Sequence, residues 1–242
     1  MQPQIIVQEV QGFHNSKPHD QLIRGNTYQD LSTVCVMPTR GVIGVKVALS
    51  WLNLMSPMNQ KFMRMPVIGM EVGQAYSTAI ENILAHPELS KWKYVLTLEE
   101  DNIPPPDGLL KLLETIQNGD YGAVGSLYWT KGEVGKPMCY GRPGEFPLNF
   151  IPFLPEQLPG DGIVRCNGLG MGFTLFKLDM FRDAKLQKPF FQTVQRYEPG
   201  VGISAYTQDL KFFEKANALG YRFACDTRVK VGHYDISNDY VW

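Results

Sequence analysis

Three acids in a row, Glu99, Glu100 and Asp101, follow directly on the apolar run "YVLTL" at residues 94–98, and three prolines at 104–106 then stop the chain. Adjacent carboxylates repel one another, so such a knot needs water or a cation to hold it. A solvated turn is the plain reading, since acid-rich turns are common. A strand that ends in acids has a second reading, because ligands of open parallel α/β sheets sit beyond the carboxyl ends of the strands. Side chains alternate along a strand, so Glu99 and Asp101 point the same way and can share a hard divalent ion. Mg2+ and Mn2+ take oxygen ligands and commonly keep substrate phosphates as partners. His233, after "RVKVG", can complete a carboxylate site for Mn2+, although a lone histidine is more often structural.

A fourth acid has its own setting. In "YTQDL" (206–210) Thr207 is placed to cap a helix, which puts Asp209 in the first turn, where the helix dipole favours a carboxylate. Facing a cleft, the same acid would be positioned to take a proton from an attacking hydroxyl. The segment "CNGLGMGF" alternates Gly168, Gly170 and Gly172. It does not follow a strand at the start of a βαβ unit, so it is no dinucleotide fingerprint. It reads instead as backbone passing close to a ligand or a neighbouring strand. Tyr128, Trp129 and Tyr140 lie around a Gly- and Pro-rich loop, as faces for a sugar ring or as local core.

These residues need a scaffold, and the composition allows one. The chain has 242 residues, 44% hydrophobic and 19% charged, enough for a full core. A net charge of -1 gives no bulk attraction to nucleic acid or membrane. The four cysteines, at 35, 139, 166 and 225, include no C-x-x-C pair, which argues against a zinc knuckle or a redox dithiol. Cys35 and Cys225 lie inside apolar runs and read as buried thiols in a reducing compartment. The first thirty residues show no apolar core of a secretion signal, and no run approaches a membrane span. The expectation is a soluble, cytoplasmic protein.

Hydrophobic periodicity supplies the elements. "QIIVQEV" suits a short strand and "TVCVMPTRG" (33–41) a strand broken by Pro38 and Gly41. A helix is expected within 42–55 and a strand in "KFMRMPVIGM" (61–70). Val72, Ala75, Ala79 and Ile83 recur at helical spacing, and "KYVLTL" (93–98) is the clearest strand. Asp107 is placed to cap a helix striped by Leu109, Leu112, Leu113 and Ile116 and closed by Gly119. "YGAVGSLYW" (121–129) is a further strand. This alternation predicts an α/β fold whose mostly parallel central sheet is flanked by helices. Residues 131–165 read as a long loop with a short hairpin, 166–181 as a glycine-rich turn into a strand, and 206–235 as helix, Gly stop, strand and turn to His233.

In this order the segments resemble the GT-A class of nucleotide-sugar glycosyltransferases, particularly family 2-like members of bacteria and phages, over roughly residues 33 to 235. "VCVMPTRG" is similar to the first strand and nucleotide-binding turn of that fold. "YVLTLEEDNIPPPDGLLKLL" is similar to the strand, DxD-type metal motif and following helix. "VRCNGLGMGFTLFKLDMF" resembles the glycine-rich acceptor-side strand, and "TQDLKFFEKANALGYRFACDTRVKVGHYD" the helix with the catalytic acid and the late histidine. Two departures stand out, Glu-Glu-Asp for Asp-x-Asp and Gln208-Asp209 for Glu-Asp.

The resemblance implies a single GT-A (Rossmann-like) domain. Residues 1–30 would be an extension, 31–130 the nucleotide-sugar-binding half, and 131–242 the acceptor-binding and catalytic half. It implies Pro38, Thr39, Arg40, Glu100 and Asp101 at the nucleotide and Glu99, Asp101 and His233 at a Mn2+ or Mg2+ ion. Asp209 would be the base, and Trp129, Gly168, Gly170 and Gln208 would face the acceptor. The donor would be a UDP- or GDP-sugar and the acceptor a glycan or a modified DNA base, with inversion or retention left open. Two rivals are a metal-dependent nucleotidyltransferase, whose basic phosphate loop "PTRGVIG" meets with one arginine, and a non-catalytic carbohydrate- or nucleotide-binding protein.

Overall fold

The computed structural model describes residues 4–5, 29–142, 148–151, 154–158 and 160–242. The strands are β1 (Gln4–Ile5), β2 (Thr33–Thr39), β3 (Phe62–Ile68), β4 (Tyr94–Leu98), β5 (Asn102–Ile103), β6 (Ala123–Leu127), β7 (Cys139–Tyr140) and β8 (Ile163–Cys166). They continue as β9 (Gly168–Leu169), β10 (Phe173–Lys177), β11 (Val194–Glu198), β12 (Gly202–Tyr206), β13 (Phe223–Lys230), β14 (Gly232–Asp235) and β15 (Tyr240–Val241). The α-helices among the described residues are α1 (Val45–Asn53), α2 (Val72–Ala85), α3 (Gly108–Asn118) and α4 (Gln208–Ala218).

Eight strands form the central sheet in the order β1-β3-β2-β4-β10-β6-β13-β8. β3, β2, β4, β6 and β13 run one way, and β1, β10 and β8 run against them. The expected mostly parallel sheet is therefore present. The strand expected within 166–181 is β10, which wedges antiparallel between β4 and β6, and β8 adds an antiparallel edge that begins where a loop was expected. Pro38 and Pro66 do not break their strands. β2 runs on to Thr39, with Met37 opposite Pro66 and Pro38 opposite Val67.

Both faces of the sheet are covered, which is why its strands are apolar throughout. Val34, Val36, Val95 and Phe176 face Ala75, Tyr76 and Ile80 of α2 and Phe212 and Phe213 of α4. Cys35, Met37, Leu96 and Leu175, one residue out of phase, face Val47 and Trp51 of α1 and Leu109, Leu112 and Ile116 of α3. Two expected caps differ. Asp107 and Thr207 stand at the N-caps of α3 and α4, but neither side chain makes a capping bond. Asp107 instead pairs with Lys111 at 2.8 Å. Gly220 ends α4 as expected, at φ 87°.

All four cysteines are buried free thiols, as the apolar settings of Cys35 and Cys225 suggested for those two. Among the described residues no helix is long and apolar enough to cross a membrane. The residues on which the "QIIVQEV" strand was expected beyond Ile5 lie outside the described ones.

The start of α4 is held by an aromatic cluster. The Phe212 ring stacks on Phe191 at 4.4 Å between centroids and meets Phe176, Phe181 and Phe213 at 5.6, 5.7 and 5.2 Å. Phe212→Ala should lower the unfolding free energy by roughly 3–5 kcal/mol, the usual range for a fully buried ring. Urea denaturation read by tryptophan fluorescence and by far-UV circular dichroism would measure it. A loss under 1 kcal/mol would mean the cluster does not anchor the helix.

Candidate active site

All three acids fall at the carboxyl end of β4, beside the end of β2, and each has a different partner. Glu100 turns back to β2. Its Oε2 accepts from Thr39 Oγ1 and from the Arg40 N–H, both at 2.8 Å, and its Oε1 accepts from Arg40 Nε. Thr39, Arg40 and Glu100 are thereby brought together, with the Arg40 side chain 82% exposed and that of Glu100 only 14%. Pro38 is buried behind them in β2.

Asp101 faces the other way. β5 pairs with β14, which sets His233 opposite Asn102, and the Tyr234 N–H donates to the Asp101 carbonyl at 2.7 Å. His233 Nε2 lies 3.3 Å from Asp101 Oδ2, and Lys131 Nζ donates to the same oxygen at 2.6 Å. Burial alone would raise this carboxyl. The bonds and charges of His233 and Lys131 outweigh it and hold Asp101 at about 2.

His233 Nδ1 is 2.8 Å from the Trp129 carbonyl oxygen. A ligating imidazole is typically fixed in this way, with its other nitrogen turned outward. Nε2 facing a carboxylate oxygen needs positive charge between them, either a ring proton or a metal ion. The Tyr128 ring meets the imidazole edge-on, centroids 5.5 Å apart.

Glu99 parts from Asp101. A tight turn, in which the Asn102 N–H donates to the Glu99 carbonyl at 3.0 Å, ends the alternation that would have aligned the two carboxylates. The Glu99 side chain accepts from the Tyr76 hydroxyl of α2 at 3.1 Å. Burial, with the nearby charges of Asp101 and Asp209, pushes its carboxyl up to about 8.

Among the described residues no three of His, Cys, Asp and Glu converge as a metal-binding group. Asp101 and His233 instead make a two-point seat of one oxygen and one nitrogen. Such a seat fits an ion that draws its remaining ligands from phosphates and water, which is the habit of Mg2+.

Asp209 opens α4 and is 4% exposed. Burial raises its carboxyl against the opposing pull of Thr207, of the Leu210 N–H and of Tyr140. Its Oδ1 has no hydrogen-bond partner among the described residues. Its charge acts on Glu99, Tyr128 and Tyr140, so it belongs to the same cluster of side chains. Gln208 beside it is half-buried. A β-carbon on Gly73 would stand 3.1 Å from Gln208 Cβ, so the starts of α2 and α4 touch.

The remaining candidates scatter. A β-carbon on Gly168 would meet the Phe213 ring at 3.3 Å, and one on Gly170 would meet the Tyr128 hydroxyl at 2.1 Å. The close neighbours of these glycines are protein atoms. The same hydroxyl accepts the Gly172 N–H at 2.9 Å. Tyr128 and Tyr140 are buried, at 2% and 4% exposure, so of the three aromatics Trp129 alone offers surface. It lines a cavity of about 350 Å³ with Lys136, Pro137 and Phe150. A cavity of about 660 Å³ lies along α2, lined by Glu71, Gln74, Asn82 and Gln192, and does not include the acids.

Lys131 and Tyr76, the partners that set Asp101 and Glu99, escape sequence reasoning. Lys131 lies in a Gly-rich loop and Tyr76 inside an apolar helical stripe. Neither has a local signal, and only the acids' need for partners could have prompted a search.

No family model matches the chain, and no curated protein matches it in sequence. Solved structures do. A197 from STIV aligns over 87% of this chain and 92% of its own, with a TM-score of 0.56 and 16% identity. GalNAc-T7 with UDP, GalNAc and Mn2+ aligns over 85% of this chain, with a TM-score of 0.55 and 12% identity, and the chain spans 44% of that protein's length. At these identities the likeness is one of fold alone: a mixed α/β, GT-A-like single domain.

Proposed function

We propose that the chain moves a sugar from a nucleoside-diphosphate donor to an acceptor hydroxyl. The observation that carries this reading is the grouping of these side chains. Asp101 Oδ2 and His233 Nε2 lie 3.3 Å apart at the carboxyl end of a parallel strand, and a buried acid with an unpaired oxygen, Asp209, shares their field. A GT-A-like fold, seen with UDP and Mn2+ in GalNAc-T7, adds support for a nucleotide-sugar donor and a metal.

In this reading Asp101 and His233 hold a Mn2+ or Mg2+ ion, which when bound supplies Lewis-acid stabilisation of the charge on the leaving diphosphate. Thr39 and Arg40, braced by Glu100 and backed by Pro38, receive the base and ribose of UDP or GDP. Arg40 is the exposed member of that group and so the one free to reach the ligand. Glu99, which the sequence also offered as a metal ligand, stays out of that seat: its carboxyl is turned to the Tyr76 hydroxyl and held protonated by burial.

Asp209 takes the proton of the acceptor hydroxyl, whose oxygen attacks the anomeric carbon from the face opposite the leaving group, giving inversion. A raised carboxyl is a better base near neutral pH than a free one. Gln208 and Trp129 meet the acceptor, and Gly168 and Gly170 let Phe213 and Tyr128 close up beneath it. The acceptor class proposed is a glycan. A modified DNA base, also considered from the sequence, finds no support among the neighbours. Residues 31–130 then serve as the donor half, 131–242 as the acceptor and catalytic half, and 1–30 as an extension.

Calorimetric titration of UDP, then GDP, with and without Mn2+ tests the reading. One nucleotide should bind in a Mn2+-dependent way, and Asp101→Asn should remove that dependence. Asp209→Asn should keep nucleotide binding but slow hydrolysis of the donor sugar by roughly 10²–10⁴-fold, the range for a lost general base. Absence of binding by either nucleotide, with or without metal, would sink the proposal.

Glu99 adds a test through stability. Its carboxyl sits at about 8 in the fold against an ordinary 4.5, so between those values the folded chain holds a proton that the unfolded chain releases. The sign follows: the stability this group lends is complete below about pH 4.5 and is lost as pH rises through about 8. Glu99→Gln should therefore raise the urea midpoint near pH 9 more than near pH 5. Equal shifts at both would contradict the buried, neutral carboxyl.

A further inference from the structure

Lys131 Nζ stands 2.6 Å from Asp101 Oδ2, the same oxygen that faces His233 Nε2 at 3.3 Å. An ammonium at that distance already occupies one lone pair of the oxygen that an ion beside His233 would share. The two cations would stand within about 4 Å of each other, where like charges repel even with partial screening. The lysine in this position therefore opposes the binding of an ion.

The loop that carries it is built for a side chain that moves on a fixed base. Its root is clipped by the His233 Nδ1 contact to the Trp129 carbonyl. The strands of the turn are closed by Thr130 N–H to the Lys136 carbonyl at 2.9 Å and by Lys136 N–H to Thr130 Oγ1 at 3.0 Å. Gly132 beside it adopts φ +114° with nothing within 4 Å of where a β-carbon would be. The Lys131 side chain is 34% exposed, and its four methylenes give several ångströms of reach without backbone movement.

We propose that Lys131 is a resident counter-ion of Asp101, which yields that oxygen to the incoming divalent ion and then pairs with the diphosphate of the donor. This rests on the glycosyl-transfer reading above. A lysine is suited to the exchange because its ammonium is a compact point charge on a flexible stem and meets phosphate as readily as carboxylate. The segment 129–131 then serves both ends of the site, fixing the imidazole through a carbonyl and the phosphate through an ammonium.

The test is Mn2+ binding followed by electron paramagnetic resonance of the free ion, without nucleotide, in the unaltered chain, Lys131→Met, Lys131→Arg and Asp101→Asn. UDP titrations at saturating Mn2+ follow. Lys131→Met should bind Mn2+ about ten-fold more tightly but UDP about ten-fold more weakly, and Lys131→Arg should stay near the unaltered chain on both. Opposite signs for metal and nucleotide are what a merely structural lysine would not produce. Unchanged Mn2+ affinity in Lys131→Met, with Asp101→Asn still abolishing binding, would overturn this assignment and leave the metal reading standing. Tighter Mn2+ with unchanged UDP would overturn the diphosphate pairing. No Mn2+ binding by any of the four would fell both.

Discussion

Taking carboxylates out of water is the constraint on which the rest of this cleft depends. β4 delivers three in succession at the end of a buried strand, and an unpaired buried charge is among the costliest features a fold can carry. The chain resolves each acid differently. Glu100 is charged and answered by the hydroxyl, backbone and guanidinium of Thr39 and Arg40. Asp101 is charged and answered by Lys131 and His233. Glu99, with a hydroxyl as its direct partner, is held neutral instead. The charge of Asp101 nearby adds to burial in keeping Glu99 neutral, so fixing one acid helps to fix the other.

The elements far from β4 in sequence are arranged by that need. β14 crosses to pair with β5, which begins one residue after Asp101, and β15 pairs with β14 in turn. The His233 N–H donates to the Trp242 carbonyl at 3.1 Å and the Trp242 N–H to the His233 carbonyl at 3.0 Å, so the histidine is gripped on both sides before its ring makes any contact. Tyr128 serves the opposite flank, supporting the imidazole with its ring and Gly172 with its hydroxyl. Gly170 leaves the space that lets it do so.

What was legible in the sequence is what local periodicity encodes. The stripes of α2 and α3 and the runs of β2 and β4 are set by neighbours three, four or two residues away, and they stand where periodicity put them. β10 was not legible as the sheet's middle strand, because nothing within 173–177 says that the chain returns to split β4 from β6. The caps at Asp107 and Thr207 were misjudged for a related reason. A helix start allows a capping bond, but Lys111 competes for Asp107, and Thr207 acts on the buried Asp209 instead. The carboxylates of the site were visible as types at a strand end, while their states were not. Those depend on Tyr76 and Lys131, and contacts 23 and 30 residues apart leave no mark on either segment.

The resolved states also constrain how a donor could enter. At rest the cations of the cleft are engaged, with Arg40 on Glu100 and Lys131 beside His233 at Asp101. A diphosphate arriving alone would bring its negative charge towards Asp101 and Asp209 while Arg40 and Lys131 are held by carboxylates. A divalent ion arriving alone would have to displace an ammonium already bonded to the oxygen it needs. Arriving together, each removes the other's obstacle: the ion answers the phosphates, and the phosphates give the displaced ammonium a new partner. By linkage, each then raises the other's affinity by the same factor. Under the proposed function, the acid knot at the end of β4 would thus favour the metal–donor pair over either component.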